Sequence, residues 1–199
     1  MLERNMRMTR TTPTKFETRE EDGGLFIEGY FAVFNSIYPL WDGYSETVAP
    51  EAFSNTLGND IRCLTNHDTT LVLGRNKAGT LELKEDSHGL WGKVRINEKD
   101  QDAMNLYHRV QRGDVNQCSF GFEIAREEFE TKGTGGQWII REVNLFEVTV
   151  ATFPAYEETG VMARMQQAEE IEKRKGAAWK EAMRDRVKGG KKDAENTTA

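Results

Sequence analysis

Three histidines, His67, His88 and His108, are the side chains of this sequence best suited to moving a proton near neutral pH. His67 lies in Leu64-Thr65-Asn66-His67-Asp68, at the end of a short strand expected over 61–65. His88 sits in a turn beside Gly89, and His108 falls mid-helix next to Tyr107. Taken singly, each reads as a surface or structural histidine. No pair has HExxH or another metal-ligand spacing, so a zinc site from His67, His88, Cys63 and Cys118 has no pattern behind it. A hydroxyl candidate lies in Asn116-Gln117-Cys118-Ser119-Phe120-Gly121-Phe122-Glu123. Strand alternation puts Phe120, Phe122 and Ile124 on one face and Ser119, Gly121 and Glu123 on the other. A nucleophile needs open backbone beside it, and Gly121 would provide that. Equally, Ser119 simply begins the strand and Gly121 marks a bulge. A carboxylate candidate lies in Leu145-Phe146-Glu147-Val148-Thr149-Val150, where Glu147 and Thr149 share the face opposite Phe146, Val148 and Val150. A charge in so apolar a strand needs solvent or a partner, and a histidine is a suitable one. Glu142 is a weaker alternative, because Arg141 beside it marks an exposed stretch.

The elements that must position these residues are mostly strands. Leu25 to Phe34 is rich in β-branched and aromatic residues and is bounded by Gly23-Gly24 and Asn35-Ser36. Segments 80–83 and 90–96 are two short strands joined by Glu85-Asp86-Ser87-His88-Gly89 as a hairpin. Segment 100–111 reads as a helix, with Ala103, Leu106, Tyr107 and Val110 at helical spacing and Gly113 as its stop. Segment 119–130 is a strand, 133–136 a turn and 137–143 its return; 145–152 is a further strand closed by Pro154. Six or seven strands with peripheral helices predict a small barrel or sandwich.

The 199 residues suit one compact domain with a tail. Residues 164–199 carry net +3, leaving −9 on residues 1–163 of a chain whose total is −6. The basic end holds one aromatic residue, Trp179, against the aromatic-rich body, which marks it as an appendage. It begins as a helix over 157–187, rich in good helix formers, with a weak apolar stripe broken at Lys175-Gly176. The run Lys188-Gly189-Gly190-Lys191-Lys192 is expected to end it, with disorder beyond. The acidic balance argues against a protein that coats nucleic acid. No stretch approaches the roughly 20 apolar residues that span a bilayer. Residues 1–10 are Arg-rich without the apolar run of a secretory signal. The two cysteines are too few for a disulfide framework and have no CxxC spacing, so a reduced cytoplasm is the default compartment.

Taken in order, these segments resemble the prohead maturation proteases of tailed bacteriophages of the HK97 type. Gly29-Tyr30-Phe31-Ala32-Val33-Phe34-Asn35 resembles the family's opening strand. Glu46-Thr47-Val48-Ala49-Pro50-Glu51-Ala52-Phe53 resembles its E-x-I-x-P-G-A-F stretch, with Glu51 in place of the usual glycine. Asn66-His67-Asp68 followed by Leu73-Gly74 resembles its histidine motif, and Asp86 with Gly89-Leu90 its next hairpin. Ser119-Phe120-Gly121-Phe122 resembles S-[IF]-G-F, and Leu145 to Thr149, continuing through Phe153-Pro154-Ala155-Tyr156, resembles L-x-E-V-[ST]. The resemblance covers Phe16 to Tyr156.

It implies a serine endopeptidase with the β-barrel of herpesvirus assemblins ringed by helices, mainly β with peripheral helices, plus a charged helical C-terminal tail. The organisation expected is a flexible segment 1–15, a protease domain 16–163 and a tail 164–199. By position His67 matches the family's base and Ser119 its nucleophile. Assemblins use a second histidine as third member; here the matching late strand carries Glu147. The implied substrate is the scaffolding segment of the major capsid protein, cut inside the prohead in the bacterial cytoplasm, with self-cleavage and self-association alongside. No metal or organic cofactor, membrane or specific nucleic acid is implied. The competing reading is a noncatalytic scaffold or assembly factor, in which His67, Ser119 and Glu147 have no reason to converge.

Overall fold

The computed structural model describes residues 8–13, 15–153 and 158–195. Its elements are β1 (Met8–Pro13), β2 (Glu17–Glu21), β3 (Gly24–Val33), β4 (Tyr38–Trp41), β5 (Tyr44–Val48), β6 (Arg62–Thr65), β7 (Asp68–Arg75), β8 (Leu81–Glu85), β9 (Gly89–Ile96), α1 (Gln101–Arg112), β10 (Gln117–Lys132), β11 (Gly135–Ala151) and α2 (Glu158–Glu195). The chain divides into two units, one holding the strands and α1 and the other α2. That division falls between β11 and α2, ahead of the boundary expected after residue 163. Pro154, the expected stop of the last strand, and Glu157, the expected start of the helix, lie outside the described residues.

The fold is mainly β with helices at its periphery, but its strands do not close into a barrel. They form a seven-stranded sheet, β1-β10-β11-β5-β4 with β6 attached to β11 and β7 to β6, and a four-stranded sheet, β2-β3-β9-β8. The reason lies in β11, whose 17 residues are long enough for two strands to share one edge. β5 pairs parallel with its first part (Gly136 to Ile140), and β6 pairs parallel with its last part (Glu147 to Val150). β11 runs through Asn144, where two separate strands were expected. Its antiparallel partner β10 continues opposite it, and the register shifts between them pass over Phe146 and Arg141 of β11 and Ala125 of β10. Met8–Pro13, expected within a flexible segment, forms β1 along the edge of β10 instead. Its Thr residues favour strand, but its pairing is more than a hundred residues away and leaves no local turn signal.

Phe120, Phe122, Val148 and Val150 on the large sheet share one core with Ile27, Phe31, Leu90 and Val94 on the small one. Ala103, Leu106, Tyr107 and Val110 of α1 join that core. Asp100 caps α1, accepting from the Asp102 and Ala103 amides, and Gly113 ends it at φ 86°. Cys118 also faces the core, its thiol donating to the Phe31 carbonyl at 3.3 Å. The opposite face of β10 and β11 therefore carries Ser119, Gly121, Glu147 and Thr149. β1 is fastened to this sheet by Arg10, whose guanidinium donates to both Glu46 oxygens at 2.5 and 3.1 Å, with both side chains buried. Removing one partner of such a pair strands a buried charge, at a cost of about 3–5 kcal/mol.

In the second unit, α2 extends to Glu195, past the Gly189-Gly190 pair expected to end it. Two glycines cost a helix only about 1 kcal/mol each relative to alanine, and good helix formers flank them. Its exposed face carries Lys173–Glu169 and Arg174–Glu170 pairs one turn apart. Met162, Met165, Trp179 and Met183 are all more than 40% exposed, in keeping with the weak stripe. Among the described residues no helix is long and apolar enough to cross a membrane.

Candidate active site

His67 is presented by the tightest connection that joins two antiparallel strands. Thr65 of β6 pairs with Asp68 of β7, leaving Asn66 and His67 as a two-residue loop with φ of 50° and 60°. Two consecutive positive φ values are what the right-handed twist of a hairpin favours, and the usual occupants are Asn then Gly. Asn66 suits the first position. His67 stands where glycine is at home, and left-handed backbone costs a residue with a Cβ about 1 kcal/mol. Asn66 also ties the loop to the end of β11. Its amide donates to the Val150 carbonyl at 3.1 Å, its Oδ1 accepts from the Thr152 amide at 2.8 Å, and its Nδ2 donates to Thr152 Oγ1 at 3.3 Å. The loop is thus fixed beside the strand that carries Glu147.

His67 Nδ1 lies 2.5 Å from Glu147 Oε1. The natural assignment is an Nδ1–H donating to the carboxylate, which leaves Nε2 as an acceptor. Among the described residues Nε2 is buried and has no hydrogen-bond partner. Glu147 is only 8% exposed, and its second oxygen accepts from Thr149 Oγ1 at 2.5 Å. Cys63 of β6 lies nearby; burial pushes its thiol well above the ordinary range, and the Glu147 charge adds to that. It is a neutral core thiol rather than a nucleophile.

Ser119 sits on the same sheet face, in register with Thr149, while Gly121 is in register with Glu147. Such a diagonal neighbour across two strands is about 7 Å away. Ser119 is fully buried, and its hydroxyl donates to the Arg10 carbonyl of β1 at 3.0 Å. The structure therefore joins His67 to Glu147 and puts Ser119 on their face, but Ser119 and His67 are not hydrogen-bonded to each other. The open space expected over Gly121 is filled, because the Glu147 side chain crosses it. A Cβ at Gly121 would meet Glu147 Cδ and Cγ at 3.0 Å and overlap the carboxylate oxygen. Gly121→Ala is therefore expected to push the carboxylate off His67. Overpacking of this kind costs about 1–3 kcal/mol, and a melting curve with a turnover assay should show activity falling far more than stability.

The other titratable candidates stand elsewhere. His88 is in the β8–β9 turn, its ring 4.4 Å from Tyr30 and its amide donating to Asp86. Asp86 is held below the usual carboxylate range by the Tyr30 hydroxyl first and the His88 amide second. His108 is exposed on α1. Glu142 accepts from Asn55 Nδ2 at 2.9 Å and lies 3.9 Å from Arg126, well up β11 from Glu147. No cluster of three or more His, Cys, Asp or Glu side chains is placed to hold a metal ion among the described residues. A cavity of about 250 Å³ lies on the other side of the sheet, bordered by Arg10, Tyr38, Glu46, Val48 and Phe120, and does not include the His67–Glu147 pair.

The sequence model of the caudovirus prohead serine proteases matches residues 14–174. The chain belongs to that family. The prohead protease of Enterobacteria phage HK97 is 33% identical over 157 residues, 76% of this chain and 64% of that protein. The match thus spans a little under two thirds of that relative's length. A solved structure of the capsid assembly protease of bacteriophage T4 aligns with 74% of this chain and 98% of its own, at a TM-score of 0.49 and 14% identity.

Besides the conservative Val48, the segment departs from the E-x-I-x-P-G-A-F pattern at Glu51. Glu51 has φ 68° and an exposed side chain, so it occupies a left-handed turn position suited to glycine. Glu51→Gly is expected to raise stability by up to about 1 kcal/mol, less the extra freedom glycine gives the unfolded chain. Thermal unfolding of the two proteins measures this.

Proposed function

We propose that this chain is a serine endopeptidase of phage head assembly. Its substrates are the scaffolding segment of the major capsid protein and the chain itself, cut inside the prohead within the bacterial cytoplasm. The observation that carries this reading is the His67 Nδ1 to Glu147 Oε1 contact at 2.5 Å on the sheet face that bears Ser119. A scaffold protein gains nothing from a histidine in a glycine position of a tight loop, hydrogen-bonded to a buried carboxylate.

In the proposed reaction Ser119 rotates about its Cα–Cβ bond, leaving the Arg10 carbonyl for His67 Nε2. Oγ attacks the scissile carbonyl while Nε2 takes its proton. Glu147 holds the tautomer with its proton on Nδ1 and stabilises the imidazolium that forms. Nε2 then delivers its proton to the leaving amine, and water repeats the cycle on the acyl-enzyme. Every step uses side chains of this protein and water.

Co-expression with the major capsid protein of the same genome tests the proposal. The capsid protein should shorten on a denaturing gel when the protease is present. Full-length capsid protein beside well-folded, abundant protease would overturn it.

A further inference from the structure

A glutamate reaching from a strand has three side-chain torsions, so one hydrogen bond from His67 does not fix its carboxylate plane. The second oxygen is fixed by Thr149 Oγ1 at 2.5 Å. Thr149 is fully buried, two residues along the strand on the same face, and directly in register with Ser119. Threonine has nearly the volume of valine, so what distinguishes this buried position is its hydroxyl. That hydroxyl fits a task that valine cannot do. The β-branched side chain has restricted χ1, so its hydroxyl is held ready rather than searching. Gly121 supplies the floor beneath the same carboxylate.

We infer that Thr149 is a positioning residue of the active site, acting through Glu147 to hold Oε1 toward His67 Nδ1. It rests on the reading of Ser119, His67 and Glu147 as the catalytic set. Without the hydroxyl, Oε2 is buried with no donor, and the carboxylate turns to seek one. His67 then loses the contact that fixes its tautomer, although every catalytic side chain is still present.

The test uses the full chain and a peptide spanning the capsid cleavage site, with Thr149→Val, Thr149→Ser, Glu147→Gln, Ser119→Ala and the Thr149→Val/Glu147→Gln double variant. Around metal-ligating histidines, loss of a hydrogen-bond partner one layer out typically costs about 10–100-fold, and the same scale is taken for Thr149, which supports His67 through Glu147. Thr149→Val is expected to lose that much in kcat with KM unchanged, and Thr149→Ser to recover most of it. In the Glu147→Gln background Thr149→Val should add almost nothing, because the two act as one unit. Should valine fail to fold there, Thr149→Ser against Thr149→Ala isolates the same hydroxyl. Independent of turnover, the Nδ1 proton of ¹⁵N-labelled His67 should give a downfield resonance that is lost in Thr149→Val and kept in Thr149→Ser. Wild-type kcat and an unchanged resonance in Thr149→Val, with Ser119→Ala inactive, would overturn the role of Thr149 and leave the catalytic set standing. Full activity in Ser119→Ala would instead overturn the catalytic set itself.

Discussion

Ser119→Ala abolishes cleavage of the capsid scaffolding segment while the protein stays folded: that is the largest effect expected. Removing the nucleophile of a serine protease costs about 10⁶ in kcat, because the remaining groups have nothing to activate. The structural cost is small. The lost hydroxyl makes one hydrogen bond, to the Arg10 carbonyl, worth about 1 kcal/mol. Cys118 cannot take over, since it faces the core and donates to Phe31 on the other side of the sheet. Self-processing gives a second readout from the same pair of proteins. Met162, Met165, Trp179 and Met183 of α2 are exposed, and local opening of a helix with so weak an apolar stripe presents its backbone for cleavage. Intact mass followed over time should show loss of C-terminal mass in the wild type and none in Ser119→Ala. Equal trimming in both would assign it to host proteases, and wild-type capsid cleavage by Ser119→Ala with loss in Cys118→Ala would reassign the nucleophile.

What the sequence shows of this site is what local patterning can carry. Alternation along β10 and β11 separates Phe120, Phe122, Val148 and Val150 from Ser119, Gly121, Glu147 and Thr149, but Phe146, expected beside Val148, is passed over by a register shift, and Leu145 joins the core in its place. The β8–β9 hairpin and α1 with its Gly113 stop were legible for the same reason: their signals lie within a dozen residues. The short strands β1, β2, β4, β5 and β7 were not. Two of them meet strands distant in the chain, β1 against β10 and β5 against β11, and no turn marks those pairings. Strand count predicts a barrel or a sandwich, and it is the barrel implied by the resemblance that does not close: the strands form two sheets, with β11 taking two parallel neighbours end to end. The same limit governs Ser119. A glycine two residues on reads as open space, but the space over Gly121 is filled from the next strand by Glu147. The Asn66-His67 loop was within reach: a two-residue hairpin with His in the glycine position is a signal that needs only the register of Thr65 with Asp68.

Glu147→Gln is the second large effect expected, and it tests which residue orients the imidazole. Glutamine keeps the length and shape of the side chain, so the buried site at 8% exposure is not emptied. Its carbonyl can accept from His67 Nδ1–H only if its NH₂ then faces Thr149 Oγ1, which now donates to Oε2 and would have to become the acceptor. With the amide turned the other way, the NH₂ faces Nδ1 and favours the tautomer protonated at Nε2, the nitrogen that must accept the serine proton. In serine proteases the corresponding acid-to-amide change costs about 10⁴ in turnover through that wrong tautomer, and a loss of several orders of magnitude is expected here. Glu142→Gln should have little effect, since Glu142 engages Asn55 and Arg126 instead. His88→Gln and His108→Gln should also leave activity near normal, because one ring packs on Tyr30 in the smaller sheet and the other is exposed on α1. Turnover of a scaffold-derived peptide by all four variants separates this arrangement from an assemblin-like second histidine. Near-normal turnover in Glu147→Gln with collapse in His88→Gln or His108→Gln would move the third catalytic role from the carboxylate to a histidine.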